Sequence, residues 1–174
     1  MEETTDQPST KQIVLKWGLI LGLISVVTSI ITFTMGITSS AMSFLGGAIS
    51  IVVIVLAHKE YKNDGDGFMS YGKGLGIGTL LSLVNGAISS VFSYVYLKFV
   101  DASYLDVVRD EQIAQMQESG MPDDQIEQAL EFSSFFSTPE FMLIAGLFFA
   151  AFFGFILSLI ISAFTKNNDP SLEI

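Results

Sequence analysis

Residues Trp17–Ala57, Gly74–Leu97 and Phe141–Thr165 contain no Asp, Glu, Lys, Arg or His, and this continuity restricts the possible folds more than any motif does. A helix crossing the hydrocarbon core of a bilayer needs roughly 20 mostly apolar residues, and one charge at its centre costs about 3 kcal/mol. The first run is long enough for two crossings, so the pattern predicts four spans. A soluble domain scatters charges through its elements at helical or strand period. Here the charged residues, 15% of the chain, gather at the ends and in two connecting segments.

The expected fold class is therefore an all-α integral membrane protein: an antiparallel four-helix transmembrane bundle with an acidic extracytoplasmic helical hairpin between spans three and four. A cytoplasmic tail occupies 1–12, spans one to three occupy 13–100 with a cytoplasmic loop at 58–70, the acidic loop covers 101–140, span four covers 141–165, and a second cytoplasmic tail covers 166–174. The N-terminal tail lacks the basic region and small-residue cleavage site of a secretory signal, so span one reads as its own signal-anchor. Within the acidic loop, Leu105, Val108, Ile113 and Met116 mark one helical stripe, and Ile126, Leu130 and Phe132–Phe136 mark a second. Gly120 suits the helix end between them, and Pro122-Asp123-Asp124 suits a first turn. Ser137 and Glu140 have capping-box spacing at the start of span four.

Basic residues orient the bundle. With four crossings, Lys11, Lys16, Lys59, Lys62, Lys73 and Lys166 fall on one side, leaving Lys98 and Arg109 on the other. The positive-inside rule places both termini and the 58–70 loop in the cytoplasm. The loop 101–140 holds ten acidic residues and one Arg, so it carries −9 of the chain's net −10. Such a loop repels nucleic acid. There is no cysteine, which removes disulfides, thiolate metal sites and cysteine nucleophiles.

The most ordered intramembrane pattern is a small residue at every fourth position: Gly74, Gly78, Ser82, Gly86 and Ser90 in span three, and Gly146, Ala150, Gly154, Ser158 and Ser162 in span four. Weaker versions occur at Gly18 and Gly22 and at Ser39, Ser43 and Gly47. Such faces let helix backbones approach closely where lipid supplies little drive for association. They serve packing within the bundle or the docking of a partner or second copy. Asn85, with Thr28 and Thr32, is the polar content of the spans that raises the question of a pathway. Proton and ion coupling usually rely on intramembrane ionisable groups, which the spans lack away from their ends. Asn85 therefore reads as an interhelical hydrogen bond.

His58, Lys59, Lys62 and Lys73 read as interfacial. A lone His without ligand-spaced partners is a poor metal site, so His58 is taken as solvated. Asp64-Gly65-Asp66-Gly67 begins like a calcium loop, but its twelfth position is Leu75 rather than a bidentate Glu. Tyr71–Gly78 is glycine-rich but lacks the spacing and preceding strand of a phosphate loop; Lys73 retains a possible use at a lipid headgroup. No catalytic, cofactor-binding or metal-binding residue is assigned.

The sequence Ala57-His58-Lys59-Glu60-Tyr61-Lys62, followed by Gly67-Phe68-Met69-Ser70-Tyr71-Gly72-Lys73, then Phe99-Val100-Asp101, Tyr104-Leu105, Gly120 and Gln125–Leu130, resembles the bacterial four-span membrane family catalogued as domain of unknown function 4199. The resemblance runs from about Lys11 to Lys166. It implies an inner-membrane protein without assigned activity, and an association with membrane glycosyltransferases of the polyprenyl-phosphate type. The expectation is a non-enzymatic membrane subunit or scaffold that contacts lipid and binds another membrane protein or itself, with no cofactor and no nucleic acid. The alternative is a transporter or channel for a small neutral or lipidic solute. A membrane enzyme fits least well, because the spans hold no His, Cys or paired carboxylates for acid-base or nucleophilic chemistry.

Overall fold

The computed structural model describes residues 9–168; tail residues 1–8 and 169–174 lie outside it. Six helices follow in order: α1 Thr10–Met35, α2 Ser40–Asn63, α3 Tyr71–Val95, α4 Ser103–Glu118, α5 Asp123–Ser134 and α6 Pro139–Thr165. A π-helical turn, Tyr96–Val100, extends α3. Four of these helices, with the π turn counted in the third, are long and apolar enough to cross a membrane, and the chain is a multi-pass membrane protein. Their outward surfaces carry Leu19, Leu23, Val52, Phe148 and Phe152, all exposed. In lipid that exposure is favourable, and the inward faces are left to supply specificity.

α3 is the central helix, packed mainly between α1 and α6, while α2 lies against the same group more loosely. The termini of the described chain share one end of the bundle with the α2–α3 loop, since Lys16 meets Glu60 and Met69 meets Asn167. This is the terminal end; α4 and α5 lie at the other, the hairpin end.

The turns follow local chemistry. α1 stops at Gly36, whose φ of +61° requires a residue without Cβ. The Gly36 N–H reaches the Phe33 carbonyl and the Ile37 N–H reaches that of Thr32 at 3.0 Å, the paired bonds of a Schellman end. Gly120, at φ +78°, closes α4 as expected from sequence. α6 starts slightly differently from expectation: Thr138, not Ser137, caps it, accepting from the Phe141 N–H at 3.3 Å. The reason is Pro139, which favours the first helical position and so places the cap one residue before itself.

The larger departure is in α2. Span two was expected to end at Ala57, but the helix continues to Asn63, which shortens the loop to residues 64–70. Ile54, Ala57, His58 and Tyr61 recur at the spacing of one helical face and are all buried. That face continues the inward packing of α2 beyond its uncharged stretch.

Candidate functional site

The small stripes of α3 and α6 face each other in one antiparallel register. Ideal Cβ atoms built on the glycines identify the partners: Gly74 meets Ser162, Gly78 meets Ser158, Gly154 meets Ser82, Gly86 meets Ala150 and Gly146 meets Ser90. Each step of four residues forward on α3 is matched by four back on α6. At Gly74 the added atom would lie 2.9 Å from Ser162 Oγ, inside van der Waals contact, so a larger residue there would displace the Ser162 hydroxyl from the seam. Ser82 and Ser158 donate to the carbonyls of Gly78 and Gly154, at 2.8 and 2.6 Å, and so bring no unpaired hydroxyl into the seam. Ser162 Oγ and Thr79 Oγ1 are buried without a hydrogen-bond partner. On the other side of α3, Gly18 and Gly22 receive Val84 and Ile88, at 2.7 and 2.6 Å from their ideal Cβ positions. Gly46 and Gly47 of α2, by contrast, have nothing within 4 Å.

Asn85 Oδ1 accepts from the Ser25 hydroxyl at 2.8 Å, linking α3 to α1. Thr28 turns back to the Ile24 carbonyl at 2.9 Å, as a hydroxyl in an apolar helix commonly does. Thr32 lies one turn further along and is half-buried. Ser25, Thr28 and Ser29 border a cleft of about 190 Å³ between α1 and α2, with Gly46 opposite. These polar residues therefore meet on one side of α1 rather than around a common axis.

The terminal end holds a clasp that sequence reasoning missed. His58 is not a solvated interfacial residue: it is 0% exposed. Its Nε2 lies 2.9 Å from the Gly74 carbonyl and its Nδ1 2.8 Å from Thr165 Oγ1. A carbonyl only accepts, so Nε2 carries the proton, and in the neutral ring Nδ1 accepts from Thr165. Thr165 Oγ1 is also 2.9 Å from the Ile161 carbonyl, so the same hydroxyl can turn there when both ring nitrogens are protonated. Lys62 Nζ donates to the Thr165 carbonyl at 3.0 Å, satisfying a free carbonyl at the end of α6. Met69 and Asn167 exchange backbone hydrogen bonds of 2.8 and 2.9 Å, and Asn167 Nδ2 reaches the Gly67 carbonyl. His58 thus ties α2 to α3 and α6 at once. The sequence signal was the Ile54, Ala57, His58, Tyr61 spacing, which outweighs the basic neighbours. Lys59 and Lys73 are exposed. Beside the clasp, Glu60 Oε2 accepts from Lys16 Nζ at 2.7 Å and from Trp17 Nε1 at 3.0 Å.

At the hairpin end, α4 begins against the α1–α2 turn. Tyr104 donates to the Ile37 carbonyl at 3.2 Å, and its ring lies 4.8 Å from that of Phe33. Burial pushes the Tyr104 phenol above its ordinary value. Asp101 accepts from the Ser103 N–H at 2.8 Å, which holds its carboxyl below the usual range. Lys98 and Glu140 pair across the ends of α3 and α6. At the end of α5, Phe136 contacts both Phe132 and Phe135, and Phe135 and Phe136 touch Phe141, where the chain passes into α6. Between α4 and α5 lies a groove of about 850 Å³. No group of three or more His, Cys, Asp or Glu side chains suited to a metal ion occurs among the described residues.

Comparison with curated proteins and with solved structures returns no match. A family model does match, and it extends from α1 through the hairpin to the end of α6. It covers residues 16–167, so the chain belongs to the family described as protein of unknown function DUF4199.

Proposed function

We propose that this protein is a non-enzymatic membrane subunit that binds another membrane protein through its hairpin end. The observation that carries this reading is an imbalance in burial. The intramembrane small faces of α3 and α6 are occupied by each other, whereas α4 has no buried residue and α5 has Ile126 alone. Two helices with apolar stripes and so little buried surface supply an interface that is incomplete by itself. His58, the side chain best suited to proton transfer near neutral pH, has both ring nitrogens engaged by the protein, which supports a structural role. The distribution of lysines favours cytoplasmic termini and an extracytoplasmic hairpin, in a bacterial inner membrane. A membrane glycosyltransferase using polyprenyl phosphate is the class of partner that the family resemblance suggests.

The test is affinity purification of the tagged chain from its native membrane in mild detergent, followed by mass measurement of the intact assembly. A stoichiometric second protein supports the subunit reading and identifies its partner. A homogeneous monomer or homo-oligomer overturns it. The open face of α2 around Gly46 and Gly47 is where a second copy would fit under that outcome. Among the described residues, the hydroxyl-bordered cleft between α1 and α2 favours a second reading, a solute transporter. That second reading predicts solute flux in liposomes that is lost in Ser25→Leu.

A further inference from the structure

We infer that the groove between α4 and α5 is a docking site for a basic amphipathic helix of a partner protein; this rests on the subunit reading above. Leu105 and Val108 of α4, Ile126 and Leu130 of α5 and Met142 of α6 line the groove. Its volume of about 850 Å³ is that of a binding groove rather than a packing defect. Helices α4 and α5 are joined by the tight turn at Gly120, yet their apolar residues leave the space between them open. A helix laid along the 12 residues of α5 would contact it for about 18 Å. This is the dimension of helix-in-groove recognition, in which apolar anchors recur on one face of the bound helix.

Charge selects the occupant. Asp106, Asp123, Glu127 and Glu131 border the groove against a single guanidinium, Arg109, and the segment 101–140 around them carries −9. A second copy of the chain would bring an equally acidic hairpin, and like charges across an interface are costly. Anionic lipid is disfavoured for the same reason. A helix with an apolar stripe flanked by Lys or Arg matches both the floor and the rim, and the rim would also speed its encounter.

The probe is a labelled Leu/Lys amphipathic peptide of about 18 residues, titrated into the full chain in zwitterionic nanodiscs and into empty nanodiscs. The expected result is binding about tenfold tighter to loaded discs, weakening as salt is raised. The triple variant Asp106→Asn, Glu127→Gln, Glu131→Gln should lose most of that advantage while keeping its helical circular dichroism. A Leu/Glu peptide with the same apolar stripe should gain nothing from the protein. Equal affinity for loaded and empty discs overturns the proposal, as does unchanged binding to the triple variant. Equal binding of a Leu/Lys peptide with scrambled order also overturns it, because surface charge alone would then account for the effect. Should the triple variant still recover a stoichiometric partner from native membranes, the groove assignment fails and the subunit reading stands. Loss of that partner in the triple variant supports both.

Discussion

Gly86→Ala places the α3–α6 register under direct strain. A Cβ on Gly86 would overlap the Cβ of Ala150 across the seam. Alanine has no rotamer to yield, so relief requires the two helices to separate. Overpacking a tight interior costs about 1–3 kcal/mol, and a contact between two such rigid groups belongs at the upper end, about 3 kcal/mol. The helix preference of Ala over Gly offsets about 1 kcal/mol. The net loss of about 2 kcal/mol changes the unfolding equilibrium about 30-fold. Ala150→Gly should also cost about 2 kcal/mol, through one lost methyl contact and a glycine in a helix. The exchange Gly86→Ala with Ala150→Gly moves the methyl to the other side of the same gap and conserves volume, so it should return to within about 1 kcal/mol of the parent. The resulting coupling of about 3 kcal/mol is at the top of the range for residues in contact. Unfolding in mixed micelles with SDS, followed by circular dichroism and by the fluorescence of Trp17, the single tryptophan, measures all four proteins. Parent-like stability of Gly86→Ala, or strict additivity of the pair, would refute the facing register.

Three further outcomes are expected. His58→Ala should cost about 3 kcal/mol, by opening a cavity and removing the bonds that tie α2 to the Gly74 carbonyl and to Thr165, and should speed proteolysis of the 64–70 loop; Lys59→Ala should stay within about 0.5 kcal/mol, and equal effects would remove the clasp from the account. A double-mutant cycle on Ser25→Ala and Asn85→Ala should give about 0.6 kcal/mol, the usual worth of a polar pair between membrane helices; a value near zero would show that the bond contributes nothing. The third concerns acid. Because the Ser103 N–H lowers the Asp101 carboxyl in the folded chain, ionised Asp101 adds stability above its unfolded value of about 3.9. That contribution is lost as pH falls through the folded value. The protection factor of the Ser103 amide at the start of α4, taken against its intrinsic exchange rate at each pH, should therefore fall on acidification in the parent and much less in Asp101→Asn; identical pH profiles would refute the role.

How much was legible in the sequence differs between elements. The end of α2 illustrates the limit: uncharged length marks where lipid contact stops, while a helix ends where its inward packing stops, and His58 and Tyr61 extend that packing past the charged residues. His58 was misread because it sits in a run with Lys59 and Lys62, although only Lys59 points away: Lys62, four residues on, shares the face of His58 and reaches Thr165 with it. Asn85 could be read as a hydrogen-bonding residue, but its partner Ser25 lies 60 positions away, and no local pattern identifies it. The groove was not legible. The stripes of α4 and α5 announced two amphipathic helices, but whether those faces close on each other or stand apart depends on how Tyr104 anchors α4 to the α1–α2 turn and how Thr138 and Pro139 launch α6.

What the sequence determined by itself was the number of spans, their segregation from one acidic loop, and the small-residue period of α3 and α6. Each is a property of transfer into lipid or of helical spacing, and needs no knowledge of neighbours. Only the tertiary structure decided that the two stripes meet each other in a four-residue antiparallel register, that His58 joins three helices, and that the hairpin leaves a groove open. These depend on contacts between residues distant in the chain, where periodicity gives a face but not what lies opposite it.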